Sequence, residues 1–345
     1  MKFRQTYSFD DVLLVPAKSG IGSRREVDLT TSLGSNSFRL PVISSPMDTV
    51  TESEMMLTMA RRGGLGILHR YNGAGAQSNI VNAVRDKLEQ ESSDAVNNIA
   101  AAVGASEEHL KRAQMLVDAG ARILCIDVAH GHHSLTETMI KALKDKYADG
   151  ITLIAGNIAT PEAYHDLSSW GADAVRIGIG GGSICSTRIQ TGHGVPTFQS
   201  VLDCASMDGA AIIADGGIKN SGDAVKALAA GADMIMLGSM LAGTEQSPGD
   251  ILSTNEDKKY KVYRGMASVE AQVAWRGQAR SLEGISTTIP YKGSVETILE
   301  SLEQNIKSGL SYTGARTITE LQARATFIQQ TLAGQSESST HILKR

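Results

Sequence analysis

Cysteine is scarce: three residues in 345, at Cys125, Cys185 and Cys204. So few, and odd in number, they exclude a disulfide framework and fit a reducing cytoplasm. Long basic runs are absent and the formal net charge is −4. Nucleic acid is therefore not expected as a partner. No apolar run approaches membrane length, and Met1-Lys2-Phe3-Arg4-Gln5 leads into no apolar leader segment. No membrane association is expected, and the chain reads as a soluble cytoplasmic protein. No Gly-x-Gly-x-x-Gly opens a first βα turn, which argues against a doubly wound dinucleotide fold. Low-complexity segments are missing too.

What is present is a rhythm. Hydrophobic residues make up 41% and charged residues 20%, enough for a large core. Short apolar runs occur at 41–45, 65–69, 98–103, 122–127, 152–156, 174–179, 211–215 and 234–238. Between them lie stretches of helical spacing, such as Leu110, Ala113, Leu116 and Val117. Gly63, Gly120, Gly171 and Gly231 stand where helices should stop. Eight alternations of strand and helix predict a parallel sheet closed into a (β/α)₈ TIM barrel, an α/β fold. One catalytic domain over 1–345 is expected. Residues 1–40 read as an arm or cap over the core. Residues 250–293 read as a long functional loop, a flap, with short ordered pieces. Helices are expected at 294–312 and 316–331, and a mobile Ser-rich tail from about 333 to 345.

In such barrels chemistry sits at the C-terminal ends of the strands. That singles out Ser45-Pro46-Met47-Asp48, Asp127 with His130, Gly156-Asn157, Asp215-Gly216-Gly217 and Gly238-Ser239. It also singles out the loop 178–188, Gly-Ile-Gly-Gly-Gly-Ser-Ile-Cys-Ser-Thr-Arg. Its glycines free the backbone to turn amides or carbonyls around an anion or a cation. Cys185 is a candidate nucleophile, since thiolate is the strongest among ordinary side chains. A tight turn followed by a small buried cysteine is the competing reading. The loops after the seventh and eighth strands are the usual phosphate site of the fold. Gly217, Gly238, Ser239 and Ser183 could cradle a phosphate there without a lysine in the motif, a plain turn being the alternative. His130, His132 and His133 lack partners at ligand spacing, so a metal site is not expected there.

These residues carry a resemblance. Ser8-Phe9-Asp10-Asp11-Val12-Leu13-Leu14-Val15-Pro16, Ser44 to Thr51, the 178–188 loop, Ala214-Asp215-Gly216-Gly217, Leu237 to Gly243 and Tyr263-Arg264-Gly265-Met266 resemble the IMP dehydrogenase/GMP reductase family nearly end to end. The resemblance implies a (β/α)₈ barrel, generally a homotetramer, acting on purine nucleoside 5′-monophosphates with a nicotinamide cofactor. It implies Cys185 as the nucleophile that attacks purine C2. Gly180, Gly182 and Cys185 match backbone-carbonyl ligands of a monovalent cation, K⁺. Ser183, Gly217, Gly238, Ser239 and Tyr263 match a phosphate site, and Asp215 a ribose ligand. Ser45, Met47 and Asn157 fall in the substrate motifs, and Met266 and Gly284 match positions at the base. Asp127 and Ala129 match positions beside the cofactor. The chain departs from the family pattern at Gly181, where proline is usual, so the loop is expected to be looser.

The family holds two opposed reactions. IMP dehydrogenase passes hydride from C2 to NAD⁺ and hydrolyses the adduct. GMP reductase expels ammonia from GMP and takes hydride from NADPH. Gly238-Ser239, Tyr263 to Met266, Pro290-Tyr291-Lys292-Gly293 and Ser336-Glu337-Ser338 look dehydrogenase-like. Residues 70–97 leave no room for the CBS modules that dehydrogenases commonly insert, though some dehydrogenases lack them. Dehydrogenases carry an Arg-Tyr pair on a long flap to activate water. Here sixteen residues separate Met266 from Glu283, with no such pair. Arg280-Ser281-Leu282-Glu283-Gly284 fits the short reductase flap, with Thr187 and Glu283 protonating the departing amine. The expectation is an NADPH-dependent GMP reductase. An IMP dehydrogenase without CBS modules, using NAD, and an inactive purine-nucleotide-binding relative are the alternatives.

Overall fold

The computed structural model describes residues 3–254, 257–280 and 282–338. All eight apolar runs are strands: β4 (Val42–Ser44), β5 (Leu65–Leu68), β6 (Ala100–Val103), β7 (Ile123–Asp127), β8 (Thr152–Ile158), β9 (Ala174–Ile177), β10 (Ala211–Asp215) and β11 (Met234–Leu237). They pair in parallel and close into a barrel, β11 returning to β4 through Ile235–Val42 and Leu237–Ser44. The runs are continuously apolar because both strand faces are buried. Along β6, Ala100 and Ala102 pack in the barrel interior, while Ala101 and Val103 pack in the layer outside it.

The outer helices are α1 (Ser53–Arg61), α2 (Ala74–Gln90), α3 (Glu108–Ala119), α4 (Ser134–Tyr147), α5 (Pro161–Trp170), α7 (Thr197–Cys204) and α8 (Ser221–Ala229), with a short α6 (Thr187–Thr191) after the cysteine loop. Gly120 and Gly171 end α3 and α5 at φ +116° and +111°, a left-handed cap that a Cβ would strain. Gly63 and Gly231 follow α1 and α8 with φ +79° and +115°. No described helix is long and apolar enough to cross a membrane.

The N-terminal forty residues do cap the core, in two ways. A hairpin, β2 (Thr31–Leu33) and β3 (Asn36–Phe38), sends Leu33 and Phe38 into the barrel interior beside Ile43 and Leu65. β1 (Val12–Leu14) runs antiparallel to β15 (Phe327–Gln329). That pairing corrects the helix expected over 316–331. Helix α11 (Ile318–Arg324) stops short, and the chain then extends to meet β1. Helix α10 (Val295–Thr313) matches its expected span, Leu299, Leu302 and Ile306 forming its buried stripe. The 250–293 segment is more ordered than a loop. β12 (Leu252–Ser253), β13 (Lys259–Arg264) and β14 (Ser286–Pro290) form a small antiparallel sheet, with α9 (Val269–Arg276) between the last two. Of the expected mobile tail, Leu332–Glu337 is a helix, α12. Residues 339–345 lie outside the described residues.

Candidate active site

The cysteine loop leaves β9 through a position that admits no side chain. A Cβ on Gly178, whose φ is +149°, would stand 1.9 Å from the carbonyl oxygen of Asp215 on β10. The Gly181 departure has a local reason as well. A Cβ there would meet the Thr197 hydroxyl at 2.4 Å, so that buried hydroxyl takes the space of the missing side chain.

The loop then zips onto the end of the flap. Cys185 and Gly284 form an antiparallel bridge, Ser186 N–H donates to Glu283 O at 2.9 Å, and Ile285 N–H donates to Ile184 O at 3.1 Å. This pairing aligns three side chains. The Cys185 thiol donates to Thr187 Oγ1 at 3.1 Å, and the Thr187 hydroxyl donates to Glu283 Oε2 at 2.8 Å. Thr187 and Glu283 are 96 residues apart in the chain.

The relay opens onto a cavity of about 310 Å³ at the C-terminal mouth of the barrel, a size suited to a small-molecule ligand. Ser183, Gly217, Gly238, Ser239 and Tyr263 line one corner of it. Burial pushes the Tyr263 phenol up, against a hydrogen bond with Ser183. No lysine lies in these motifs, but Lys292, outside the lining after β14, donates to the carbonyls of Ser239 and Met240. Burial lowers its pKa. Ser45, Met47, Met266 and Gly284 form a second wall. Arg264 holds that wall together, donating to Asp48 Oδ2 through Nε at 3.0 Å and Nη2 at 2.6 Å. Asn157, Asp215, Asp127, Ala129, Gly180 and Gly182 also line the cavity.

Arg280 does not join them. The resemblance matches it to a substrate contact; here its side chain is exposed, outside the cavity lining, and its backbone N–H donates to Gln272 Oε1 at 3.0 Å. The flap end that reaches the site is Glu283-Gly284.

Sequence reasoning missed the arginines that join the two carboxylates lining the cavity. Arg176, on β9, is 6% exposed. Its Nη1 donates to Asp127 Oδ1 at 2.7 Å and its Nη2 to Asp215 Oδ2 at 2.9 Å. Burial would weaken its hold on a proton, but Cys125, Asp215 and Asp127 around it outweigh that, and its pKa stands well above the ordinary value. A lone arginine in the run Ala-Val-Arg-Ile-Gly-Ile was the available signal. Asn157 Nδ2 donates to Asp215 Oδ2 at 2.7 Å, and Arg70 pairs with Asp127 Oδ2 at 3.6 Å. Arg70 also covers Tyr71, whose ring stacks on Trp275 of α9 at 4.3 Å between centroids. No spacing rule links those two aromatics.

Two of the three histidines after β7 have structural partners. His132 Nε2 pairs with Asp166 at 2.8 Å, and His133 caps α4 by accepting the Leu135 N–H. Among the described residues no trio of His, Cys, Asp or Glu gathers to hold a metal.

A thiol, a hydroxyl and a carboxylate in series at the mouth of a parallel barrel invite comparison with known proteins, and the matches form one set. The IMP dehydrogenase / GMP reductase domain family matches residues 6–341. Inosine-5′-monophosphate dehydrogenase of Nitrosopumilus maritimus is 35% identical, over 99% of both chains. GMP reductase of Leishmania donovani is 32% identical, over 98% of this chain and 97% of its own. Their alignments span 473 and 478 positions, so both relatives carry additional segments that this 345-residue chain lacks. The crystal structure of a cysteine-to-alanine variant of GMP reductase from Trypanosoma brucei, in complex with guanosine 5′-monophosphate, superposes with a TM-score of 0.91 at 30% identity, covering 98% of each chain. The chain therefore belongs to the IMP dehydrogenase / GMP reductase family of oxidoreductases.

Proposed function

We propose that the protein is a GMP reductase, converting GMP to IMP and ammonia with NADPH through a covalent adduct on Cys185. One observation carries the reading. The side chains in series with the thiol are Thr187 and Glu283, while Arg276 and Arg280 of the short flap stand off the cavity. Expelling an amine needs a proton delivered to nitrogen, and a hydroxyl–carboxyl relay can deliver it. Hydrolysing the adduct needs a positioned base to activate water, and the flap offers no arginine for that. The missing internal segment does not help to choose, since a dehydrogenase and a reductase relative both have the extra length.

In this reading the phosphate corner of Ser183, Gly217, Gly238, Ser239 and Tyr263 anchors the nucleotide through amides and hydroxyls. Asp215 accepts from the ribose hydroxyls, and Met47 and Met266 flank the base. The thiol adds to C2 as its S–H bond breaks. The proton travels through Thr187 and Glu283 to the amino nitrogen, and the C2–N bond breaks to release ammonia. Asp127, a lining carboxylate held by two arginines, with Ala129 nearby, suits the hydroxyls of a nicotinamide riboside. The reduced nicotinamide, when bound there, supplies the hydride that C2 gains. Cys185 then departs as thiolate, leaving IMP.

The test is absorbance at the reduced-nicotinamide band with both substrate pairs side by side. The expected outcome is GMP-dependent NADPH oxidation with release of ammonia and IMP, and far slower XMP formation from IMP and NAD⁺. Glu283→Gln should slow ammonia release by about two to four orders of magnitude while changing GMP affinity much less. Steady XMP production without GMP-dependent NADPH oxidation would install the dehydrogenase, toward which Tyr263 to Met266 and Gly238-Ser239 lean. Nucleotide binding with no adduct on Cys185 by mass spectrometry, and turnover of neither pair, would leave a nucleotide-binding relative.

A further inference from the structure

In the lining of the cavity, one guanidinium ties together the two carboxylates assigned above to different ligands. We infer that Arg176 is a positioning residue that couples the two sites, so that a ribose engaged at Asp215 tightens cofactor binding at Asp127. The inference rests on the proposed roles of those two carboxylates and goes beyond them.

Arg176 spends Nη1 on Asp127 and Nη2 on Asp215, at 2.7 and 2.9 Å, while its buried Nε has no partner. Nη1 also donates to Cys125 Sγ at 3.5 Å, so the guanidinium is anchored at its two ends and not at its middle. A movement of either carboxylate is passed to the other, because the planar fork is stiff. Each carboxylate has one further support, Asn157 on Asp215 and Arg70 on Asp127. The side chain is 7% exposed, so little water can screen the pairs or take their place.

Packing alone is a poor account of this arginine. Its strand neighbours Val175 and Ile177 fill their positions with apolar side chains at 0% exposure. A buried ion triad is often matched or exceeded in stability by apolar residues of similar volume. What the triad adds is a mechanical link between two strand ends, β7 and β10. The first ligand, by fixing one carboxylate, fixes Arg176 and with it the second carboxylate. The second ligand then meets an acceptor already ordered, and spends less of its binding energy on ordering it.

The experiment measures cofactor affinity calorimetrically with and without saturating nucleotide. GMP with the oxidised cofactor serves as the pair, because neither reaction direction consumes that combination. In the wild-type protein GMP should tighten cofactor binding about fivefold or more, the lower end of ordinary coupling between sites. With 2′,3′-dideoxy-GMP, which offers Asp215 no hydroxyl, the ratio should fall to within twofold of one. Arg176→Lys keeps the charge but reaches only one carboxylate, and should abolish the ratio with GMP as well. Equal tightening by the dideoxy analogue, persistence of coupling in folded Arg176→Lys, or no coupling in the wild type would each overturn the inference. If the lysine variant fails to melt cooperatively, the dideoxy comparison on the wild type decides. GMP binding without coupling leaves the proposed function standing; absence of GMP binding removes both.

Discussion

Three thiols of one chain sit in three different chemical settings, and burial separates them. Burial pushes Cys125 up to about 11 and Cys204 up to about 12, so both stay protonated near neutrality and act as packing. Cys185 is half-buried at the cavity and bonded to Thr187. A thiol-selective alkylating reagent should therefore label Cys185 alone, and GMP should protect it, as peptide mass spectrometry can read. Cys185→Ala should abolish GMP-dependent NADPH oxidation while GMP affinity, by titration calorimetry, stays within about tenfold, since the nucleotide keeps its phosphate and ribose contacts. Retained turnover in that variant would remove covalent catalysis. The cysteine was legible in the sequence from the glycines before it. Arg280 is of another kind: its position in a short motif resembles a contact, but its exposure off the cavity depends on how the flap packs.

At the scale of elements, the 178–188 loop and the N-terminal hairpin make opposite use of the same barrel. The loop sits at the C-terminal mouth, and its resemblance to the family matches Gly180, Gly182 and Cys185 to backbone-carbonyl ligands of a monovalent cation. Carbonyl oxygens brought together repel unless a cation sits among them. Activity should accordingly be higher in K⁺ than in Na⁺ or Li⁺ at equal ionic strength, measured as initial rate of NADPH oxidation. Equal rates in all three salts would remove the ion site. The hairpin closes the other end, with Phe38 1% exposed among the interior side chains. Phe38→Ala should cost about 3–5 kcal/mol of stability, the usual range for emptying such a site. Denaturant unfolding would read that loss, while KM for GMP should change less than twofold because the mouth is untouched. The strand that replaced the expected helix end belongs to this scale too. Thr326-Phe327-Ile328 are residues that favour strands, and β1 offers them an edge to pair with, so the chain leaves the helix there.

Across the whole molecule, burial sets one pH response that crosses from core to mouth. His109, on α3, has its pKa lowered from 6.5 to about 4, first by burial and then by the charges of Arg70 and Arg112. The folded state thus disfavours the proton that the unfolded chain accepts near 6.5. The stability this contributes is complete above about 6.5 and drains away as pH falls toward about 4. His109→Asn, which cannot take the proton, should flatten the fall in denaturation midpoint between those pH values. An identical pH profile in that variant would show that other groups carry the acid response.

The eight strands, the glycine helix stops and the motifs at the strand ends could all be read from the chain because each is local. A continuous apolar run states burial on both faces, and a glycine states a turn, without reference to anything distant. Family membership followed from the same local motifs. The relay from Cys185 to Glu283 was a different matter, since it exists because the flap end pairs with the cysteine loop across 96 residues. The pairing of β1 with β15 and the two-ended grip of Arg176 arise in the same way, from elements far apart in the chain that barrel closure brings together. Periodicity carries no information on such contacts. Which carboxylate an arginine holds, and which way a flap arginine points, are set by packing energies summed over the folded molecule rather than by the residues next to it.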